Sequence, residues 1–283
     1  MFSPAPRNAD LHSHSTVSDG TLPPAALAQR AQANGVDLWA LTDHDELGGL
    51  DEAHRAAAAL GLRFVPGVEI SVSFAAQTVH IVALGIDPQH AQLRAGLQQI
   101  RSGRDQRARD MAHDLEQHLG LRGVYEGALR YAGNPALLSR THFARFLVEN
   151  GVCRQTHEVF SRFLTPGKPG YVEHTWATLD EAVAWIAAAG GIAVLAHPGR
   201  YRYTEAEEWA LLERFRQLGG QGIEVVTGSH TAAQARKYAA IALQLGLYAS
   251  RGSDFHSPGE SVCDLGRLPP LPVDLVPVWD LLH

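Results

Sequence analysis

The stretch Asp10-Leu11-His12-Ser13-His14 ends a short apolar run that starts at Ala9. Residues two apart on a β-strand point to the same face, so His12 and His14 can grip one ion. The pattern recurs along the chain. Residues 37–41 lead into Thr42-Asp43-His44-Asp45, and residues 63–68 lead into Glu69. His80 lies within the run 79–85, and His197 directly follows 191–196. Residues 247–250 lead into Ser253-Asp254-Phe255-His256, another pair at i and i+2. A lone histidine beside a strand is more often a hydrogen-bonded structural residue. Six at or near strand ends, accompanied by carboxylates, point instead to ligands.

With the first run taken as 9–12, and with 222–226 added, the chain has seven candidate strands. Ala/Leu-rich helical stretches alternate with them at 25–33, 49–60, 178–189, 206–218 and 232–245. Pro23-Pro24 opens the first of these helices and Asn34-Gly35 stops it. This alternation predicts an α/β fold, a parallel sheet closed into a β/α barrel with helices outside. The C-terminal strand ends of such a barrel converge on one face, where active sites sit, so ligands distant in sequence would meet there. Residues 89–171 break the rhythm. They are helical in pattern, Arg-rich at the start (Arg101, Arg104, Arg107, Arg109), and end in the turn-forming Thr165-Pro166-Gly167-Lys168-Pro169-Gly170. We read 89–171 as an inserted helical cap and 1–88 with 172–283 as the barrel. The proline-rich tail from Leu268 is expected to pack along the barrel surface.

At 283 residues and 45% hydrophobic content, the chain can bury one substantial core. A formal charge of −6 with scattered charges argues against a broad basic face that coats a nucleic-acid duplex. A small anion held by local charges is compatible with it. Cys153 and Cys263 are far apart and in no metal-binding spacing, which argues against a disulfide framework and fits a reduced, cytoplasmic protein. No run approaches the roughly 18 apolar residues that span a bilayer, and no basic-then-apolar leader is visible. The 15 histidines stand out.

A mixed imidazole and carboxylate set suits Zn²⁺, Mn²⁺ or Fe²⁺ better than Ca²⁺ or Mg²⁺. Asp19, Glu69 and Asp254 would leave a site with two or three divalent ions net positive, ready for an anion such as phosphate. Asp19, in Ser18-Asp19-Gly20, reads equally as a turn signal. Asp43 and Asp45 read either as partners that orient imidazoles or as caps of the following helix.

Four motifs, Asp10-Leu11-His12-Ser13-His14, Thr42-Asp43-His44, His197-Pro198 and Asp254-Phe255-His256, occur in that order. In this the chain resembles the polymerase and histidinol phosphatase (PHP) family of metal-dependent phosphoesterases, over about residues 8–90 and 172–257. The resemblance implies a distorted seven-stranded β/α barrel with a dinuclear or trinuclear centre, Mn²⁺ being the first choice of metal. The implied ligands are His12, His14, Asp19, His44, Glu69, His80, His197, Asp254 and His256. Glu69 would bridge two ions. His12, His14 and Asp254 would complete one site, His80 and His197 a second, and Asp19, His44 and His256 a third, with Asp254, His197 and Glu69 closest to the chemistry.

A stand-alone chain with a cap after the fourth strand resembles the branch that removes the 3′-phosphate of nucleoside 3′,5′-bisphosphates. Close relatives resembling this branch also trim short RNA from the 5′ end. On that analogy Ser139, Arg140, His142, Lys168 and Arg200 are candidate substrate contacts, although Arg140, Lys168 and Arg200 read nearly as well as surface charge. The implied mechanism has two ions about 3.5–4 Å apart activating a bridging water for in-line attack, with His142 a candidate general acid. Competing readings are a histidinol-phosphate-type phosphatase, a 5′–3′ exoribonuclease, a C–N hydrolase and a non-catalytic metal-binding module. The expected partner is a small nucleotide or short RNA, with no membrane and no obligate protein partner.

Overall fold

The computed structural model describes Pro6, residues 8–174 and residues 176–282. Its strands are β1 (Ala9–Asp10), β2 (Leu38–Leu41), β3 (Arg63–Phe74), β4 (Gln77–Leu84), β5 (Ala177–Thr178), β6 (Ile192–Leu195), β7 (Gly222–Thr227) and β8 (Tyr248–Gly252). Seven form the order β1-β2-β3-β4-β6-β7-β8, and β5 pairs with β3 off this path. The seam between the first and last strands is drawn together by Leu11 N–H to Arg251 O (3.0 Å), Asp254 N–H to His12 O (2.9 Å) and His14 N–H to Phe255 O (2.9 Å). The sheet is thus nearly closed into a barrel, with helices α1 (Pro24–Ala33) and α2 (Leu50–Leu60) on its outside.

One expectation needs correction. The sheet is mixed, because β4 runs antiparallel to both β3 and β6. β3 continues past Val68 to Phe74, and the chain reverses through Ala75-Ala76, whose φ angles of 44° and 58° are left-handed. A two-residue turn of this kind matches the strand twist and leaves no room for a crossover helix.

Strand residues alternate between two apolar sets. Leu11, Leu38, Ala40, Val65, Val82, Leu84, Ile192 and Val194 fill the barrel interior. Trp39, Leu41, Ile70, Ile81, Leu195, Ile223 and Val225 face outward onto the helices. The tail does more than cover the surface. Ala249 N–H donates to Val276 O (2.8 Å), and the fully buried Val278 joins the interior set.

Between β4 and β5 the chain is helical: α3 (Ala91–Ser102), α4 (Arg104–Leu119), α5 (Val124–Leu129), α6 (Arg140–Glu149) and α7 (Thr156–Val159), the last running into a π-turn at Phe160–Leu164. Its packing divides later than residue 89. Leu93, Leu97 and Ile100 of α3 belong to the barrel's outer core, whereas a second core starts at Ala108 and includes Leu115, Phe143, Leu147 and Phe163. Gly96 explains the close seat of α3, since a Cβ there would lie 2.5 Å from the Trp185 ring. The remaining helices, α8 (Leu179–Ala188), α9 (Glu205–Gln217) and α10 (Ala232–Leu245), each begin with a reciprocal cap, Thr178/Glu181, Thr204/Glu207 and Thr231/Gln234.

Candidate metal centre

All nine sequence-derived ligands meet at one mouth of the barrel. Glu69 lies inside β3, fully buried, and is ringed by imidazoles. Its Oε1 is 2.9 Å from His80 Nδ1, 2.9 Å from His197 Nε2 and 3.4 Å from His12 Nε2. Its Oε2 is 2.8 Å from His44 Nδ1 and 3.3 Å from His14 Nε2. Asp254 Oδ1 lies 3.2 Å from His14 Nε2 and 3.5 Å from His12 Nε2, while Asp19 Oδ1 lies 3.3 Å from His256 Nε2. His80 reaches this cluster although its strand runs the other way, because it sits near the site-side end of β4.

The donor atoms gather into overlapping groups: His12, His14 and Asp254; His14, Asp19, His44 and His256; His12, Glu69 and His197; and His44, Glu69 and His80. Two of the implied sites are recognisable here, the second enlarged by His14. His80 and His197 meet through Glu69 Oε1. Two of these candidate ligands carry left-handed backbones, His197 at φ 29° and Asp254 at φ 54°. Such conformations cost about 1–3 kcal/mol each and persist where the surroundings impose them.

These residues fit a set of divalent ions. Asp19 Oδ1, Glu69 Oε2 and His44 Nδ1 are buried without a hydrogen-bond partner, even though the last two converge. Buried acceptors in that state call for a cation. Burial raises the carboxyl pKa values of Asp19, Glu69 and Asp254, but the imidazoles around them outweigh it and hold all three well below the usual range. Burial, then the neighbouring His256 and His44, pushes His14 down to about 3. Burial likewise takes His80 to about 4, so both are neutral, whereas neighbouring carboxylates outweigh burial and raise His12, His44 and His256, which a bound cation would have to deprotonate.

One supporting residue escaped the sequence reading. Glu224 of β7, 1% exposed, accepts from His12 Nδ1 (2.8 Å) and from the His197 backbone N–H (2.6 Å). It fixes the His12 tautomer that turns Nε2 toward Glu69 and Asp254. The available signal was a lone carboxylate within the apolar Gly222-Ile223-Glu224-Val225-Val226. Asp43 and Asp45, by contrast, orient no imidazole. Asp43 accepts from Ser15 N–H, Ser15 Oγ and Ser18 Oγ, bracing the loop that carries Asp19. Asp45 accepts from Ser71 N–H and Oγ and pairs with Arg104, tying β3 to α4.

Beside the cluster lies a cavity of about 100 Å³ lined by Arg104, Arg107, Arg140, Arg200, Ser139, Thr141 and Trp176 together with the candidate ligands Asp19, His44, Glu69, His80, His197, Asp254 and His256. Arg200 Nη1 donates to Asp254 Oδ2 (2.6 Å) and Ser139 Oγ to Asp19 Oδ2 (3.2 Å). Arg104 and Arg107, unassigned from sequence, flank the Trp176 ring at 4.6 and 5.5 Å. Of the candidate substrate contacts, Ser139, Arg140 and Arg200 line this cavity. Lys168 is exposed and lines none of the cavities around the site. His142 is fully buried, and its Nδ1 accepts from Ser139 N–H (3.0 Å) in the reciprocal cap of α6. That is a structural position, not that of a proton donor facing the cavity.

Comparison with known proteins agrees with this geometry. The chain is 52% identical over 272 residues to a 3′,5′-nucleoside bisphosphate phosphatase of Chromobacterium violaceum, covering 96% of this chain and 95% of that one. It is 39% identical over 271 residues to a 5′–3′ exoribonuclease of Haemophilus influenzae, covering 96% and 97%. A solved structure of an amidohydrolase from Chromobacterium violaceum with bound sulfate and no metal superposes with a TM-score of 0.94 at 52% identity, covering 97% and 95%. Fold, site and relatives together define a metal-dependent hydrolase of phosphate esters. The PHP domain model matches residues 10–228, and the chain belongs to that family.

Proposed function

We propose that this enzyme removes the 3′-phosphate of nucleoside 3′,5′-bisphosphates, yielding the nucleoside 5′-monophosphate and phosphate. The carrying observation is the provision for two anions in one small space. The ligand cluster serves the phosphate under attack, and Arg104, Arg107 and Arg140 line the same cavity. The similarity to the bisphosphate phosphatase over nearly the whole chain supports this reading.

His12, His14, Asp19, His44, Glu69, His80, His197, Asp254 and His256 would hold two or three divalent ions, Mn²⁺ first among Mn²⁺, Zn²⁺ and Fe²⁺. Such ions supply neutralisation of the charge that builds on phosphoryl oxygens and make a water acidic enough to lose a proton near neutrality. The chain's own part is placement. Glu224 sets the donor atom of His12, and Arg200 binds the reacting phosphate from beside Asp254. Ser139, Thr141 and Arg140 at the start of α6, with Arg104 and Arg107 from α4, hold the second phosphate, and Trp176 keeps the latter two guanidinium groups in place.

A cytoplasmic location accords with two unpaired cysteines, and no helix among the described residues is long and apolar enough to cross a membrane. Exoribonuclease action on short RNA is the second reading. It is favoured by space on both flanks of the cluster, about 510 Å³ beside Gln77, Tyr171 and Tyr201 and about 260 Å³ beside Thr156, Ser229 and Val262. The test is phosphate release by the Mn²⁺-loaded protein from adenosine 3′,5′-bisphosphate, 3′-AMP, 5′-AMP and a 5′-phosphorylated trinucleotide. Fast release from the bisphosphate, with both monophosphates poor, supports the proposal. Stepwise shortening of the trinucleotide with an inert bisphosphate overturns it in favour of the second reading, and 3′-AMP turning over as well as the bisphosphate removes the role of the second anion.

A further inference from the structure

Arg200 stands where all three of these cavities meet. It is delivered by the single turn Pro198–Arg200, which follows His197 with its left-handed φ of 29°. Local conformational preference does not hold such a turn. The first turn of α10 and the residue before its cap do. Gly199 N–H donates to His230 Nε2 (3.0 Å), and Gly199 C=O accepts from Gln234 Nε2 (2.8 Å). His230 Nδ1–H donates to Val225 O (3.1 Å), which fixes the neutral tautomer whose Nε2 is an acceptor. The ring stacks on Tyr238 with centroids 5.1 Å apart, and the Tyr238 hydroxyl donates to Glu208 (2.7 Å). Gln234 also closes the α10 cap with Thr231, which anchors the clamp to a helix. A Cβ at Gly199 would lie 2.7 Å from Gln234 Nε2 and 2.9 Å from the His230 ring, so only glycine lets both sides close.

We propose that His230 and Gln234 are positioning residues for phosphoester hydrolysis, gripping both polar groups of Gly199 and thereby setting where the Arg200 guanidinium meets the substrate phosphate. The two ends of the turn differ in how they are held. The His197 end has an independent anchor in Glu224, through its backbone N–H at 2.6 Å. The Arg200 end has its own N–H bond to His197 O (3.0 Å), one ion pair and, one residue on, the Tyr201 hydroxyl bonded to Ala196 O (2.8 Å) and to the His80 N–H (2.9 Å). The clamp alone grips Gly199, the residue directly before Arg200, and the guanidinium nitrogens outside the ion pair have no hydrogen-bond partner among the described residues. Loosening the clamp therefore displaces Arg200 more than His197, and substrate binding suffers while metal binding is retained. The proposal rests on Arg200 contacting phosphate, as in the function proposed above, and is independent of which phosphate ester is the natural one.

The test uses the full-length Mn²⁺-loaded protein with p-nitrophenyl phosphate and adenosine 3′,5′-bisphosphate as substrates and inorganic phosphate as inhibitor. Gln234→Glu preserves the helix cap but sets a carboxylate against the Gly199 carbonyl. His230→Phe preserves the stack on Tyr238 and removes both hydrogen bonds. In each, KM and the inhibition constant for phosphate should rise about 10- to 100-fold, with a smaller change in kcat and unchanged metal stoichiometry. Added to Arg200→Ala, neither should have a further effect, because the clamp acts through Arg200. Gly199→Ala, which forces the clamp open from inside, carries the same expectation should either of the others fail to fold. Equal losses with and without Arg200, loss of metal, or unmoved KM and phosphate inhibition would each overturn the proposal, as would native phosphate inhibition in Arg200→Ala. An inert bisphosphate alongside normal p-nitrophenyl phosphate turnover would sink the nucleotide reading alone.

Discussion

Replacing Glu224 by Gln should disarm the metal centre from behind without touching a ligand. Both groups that Glu224 receives are donors, His12 Nδ1–H at 2.8 Å and the His197 backbone N–H at 2.6 Å. A carboxylate satisfies two donors, whereas an amide offers one oxygen and must aim its NH₂ at the other donor. If the oxygen stays with His197, His12 must shift its proton to Nε2, the atom 3.4 Å from Glu69 and 3.5 Å from Asp254, and loses its lone pair for a cation. If the oxygen goes to His12, a buried backbone N–H is left facing a donor. Either outcome forfeits a charge-assisted hydrogen bond of about 1.5–3 kcal/mol. A tenfold change is about 1.4 kcal/mol, so Mn²⁺ affinity should fall roughly 10- to 100-fold. Calorimetric titration of apo protein with Mn²⁺ reads this directly, with circular dichroism to show that the variant is folded. A folded Glu224→Gln protein binding Mn²⁺ within about twofold of native would refute the orienting role.

Asp45→Asn leaves the buried Arg104 without its counter-charge, and removing one partner of such a pair costs about 3–5 kcal/mol. Urea unfolding should show that loss, and Asp45→Asn combined with Arg104→Met should recover part of it. Gly252→Ala would place a Cβ 2.3 Å from His12 Cβ and 2.8 Å from its backbone N. The seam must part, at about 1–3 kcal/mol of stability, and Mn²⁺ binding should weaken with it. A variant that melts and binds like native contradicts that contact.

Burial pushes His142 down to about 4, so its folded pKa lies below its unfolded one. The stability linked to its neutral form is full above about pH 6.5 and drains away as pH falls toward about 4. His142→Gln, which can keep the α6 cap, should flatten the pH dependence of the unfolding midpoint across that window.

The residues that cluster at the barrel mouth were legible because the chemistry repeats at strand ends. His12 and His14, or Asp254 and His256, show the two-residue period whether or not the sheet is parallel. The β3–β4 hairpin was not legible as such. Two-residue turns ordinarily announce themselves through Gly or Asn, and Ala75-Ala76 carries neither although both φ angles are positive. Glu224 and Arg104 were passed over for a shared reason. A single charged residue in a strand or at a helix start is usually solvated, and only the assembled tertiary structure buries these two, at 1% and 6% exposure. Asp43 and Asp45 show the converse, adjacency to His44 suggesting a partnership that the strand geometry directs elsewhere, toward Ser15, Ser18 and Ser71. The division of packing between α3 and α4 was not legible because both read as helix, and only the face that α3 turns to Trp185 ties it to the barrel.

The meeting of β1 with β8 has a mechanical consequence. His12 and His14 stand on one lip of the seam and Asp254 and His256 on the other, and Ser253 and His12, which touch across it, are 241 positions apart in sequence. Holding so long a hoop shut costs chain entropy, and the backbone hydrogen bonds of Leu11, His14 and Asp254 across the seam resist its opening. A cation gripped by His12, His14 and Asp254 would be a rivet through both lips. The barrel should then tighten and loosen with the free metal concentration, as any ligand-linked fold does. The atoms that ready the enzyme for its reaction would also be the ones that keep it round, and evolution could not retune the first without straining the second.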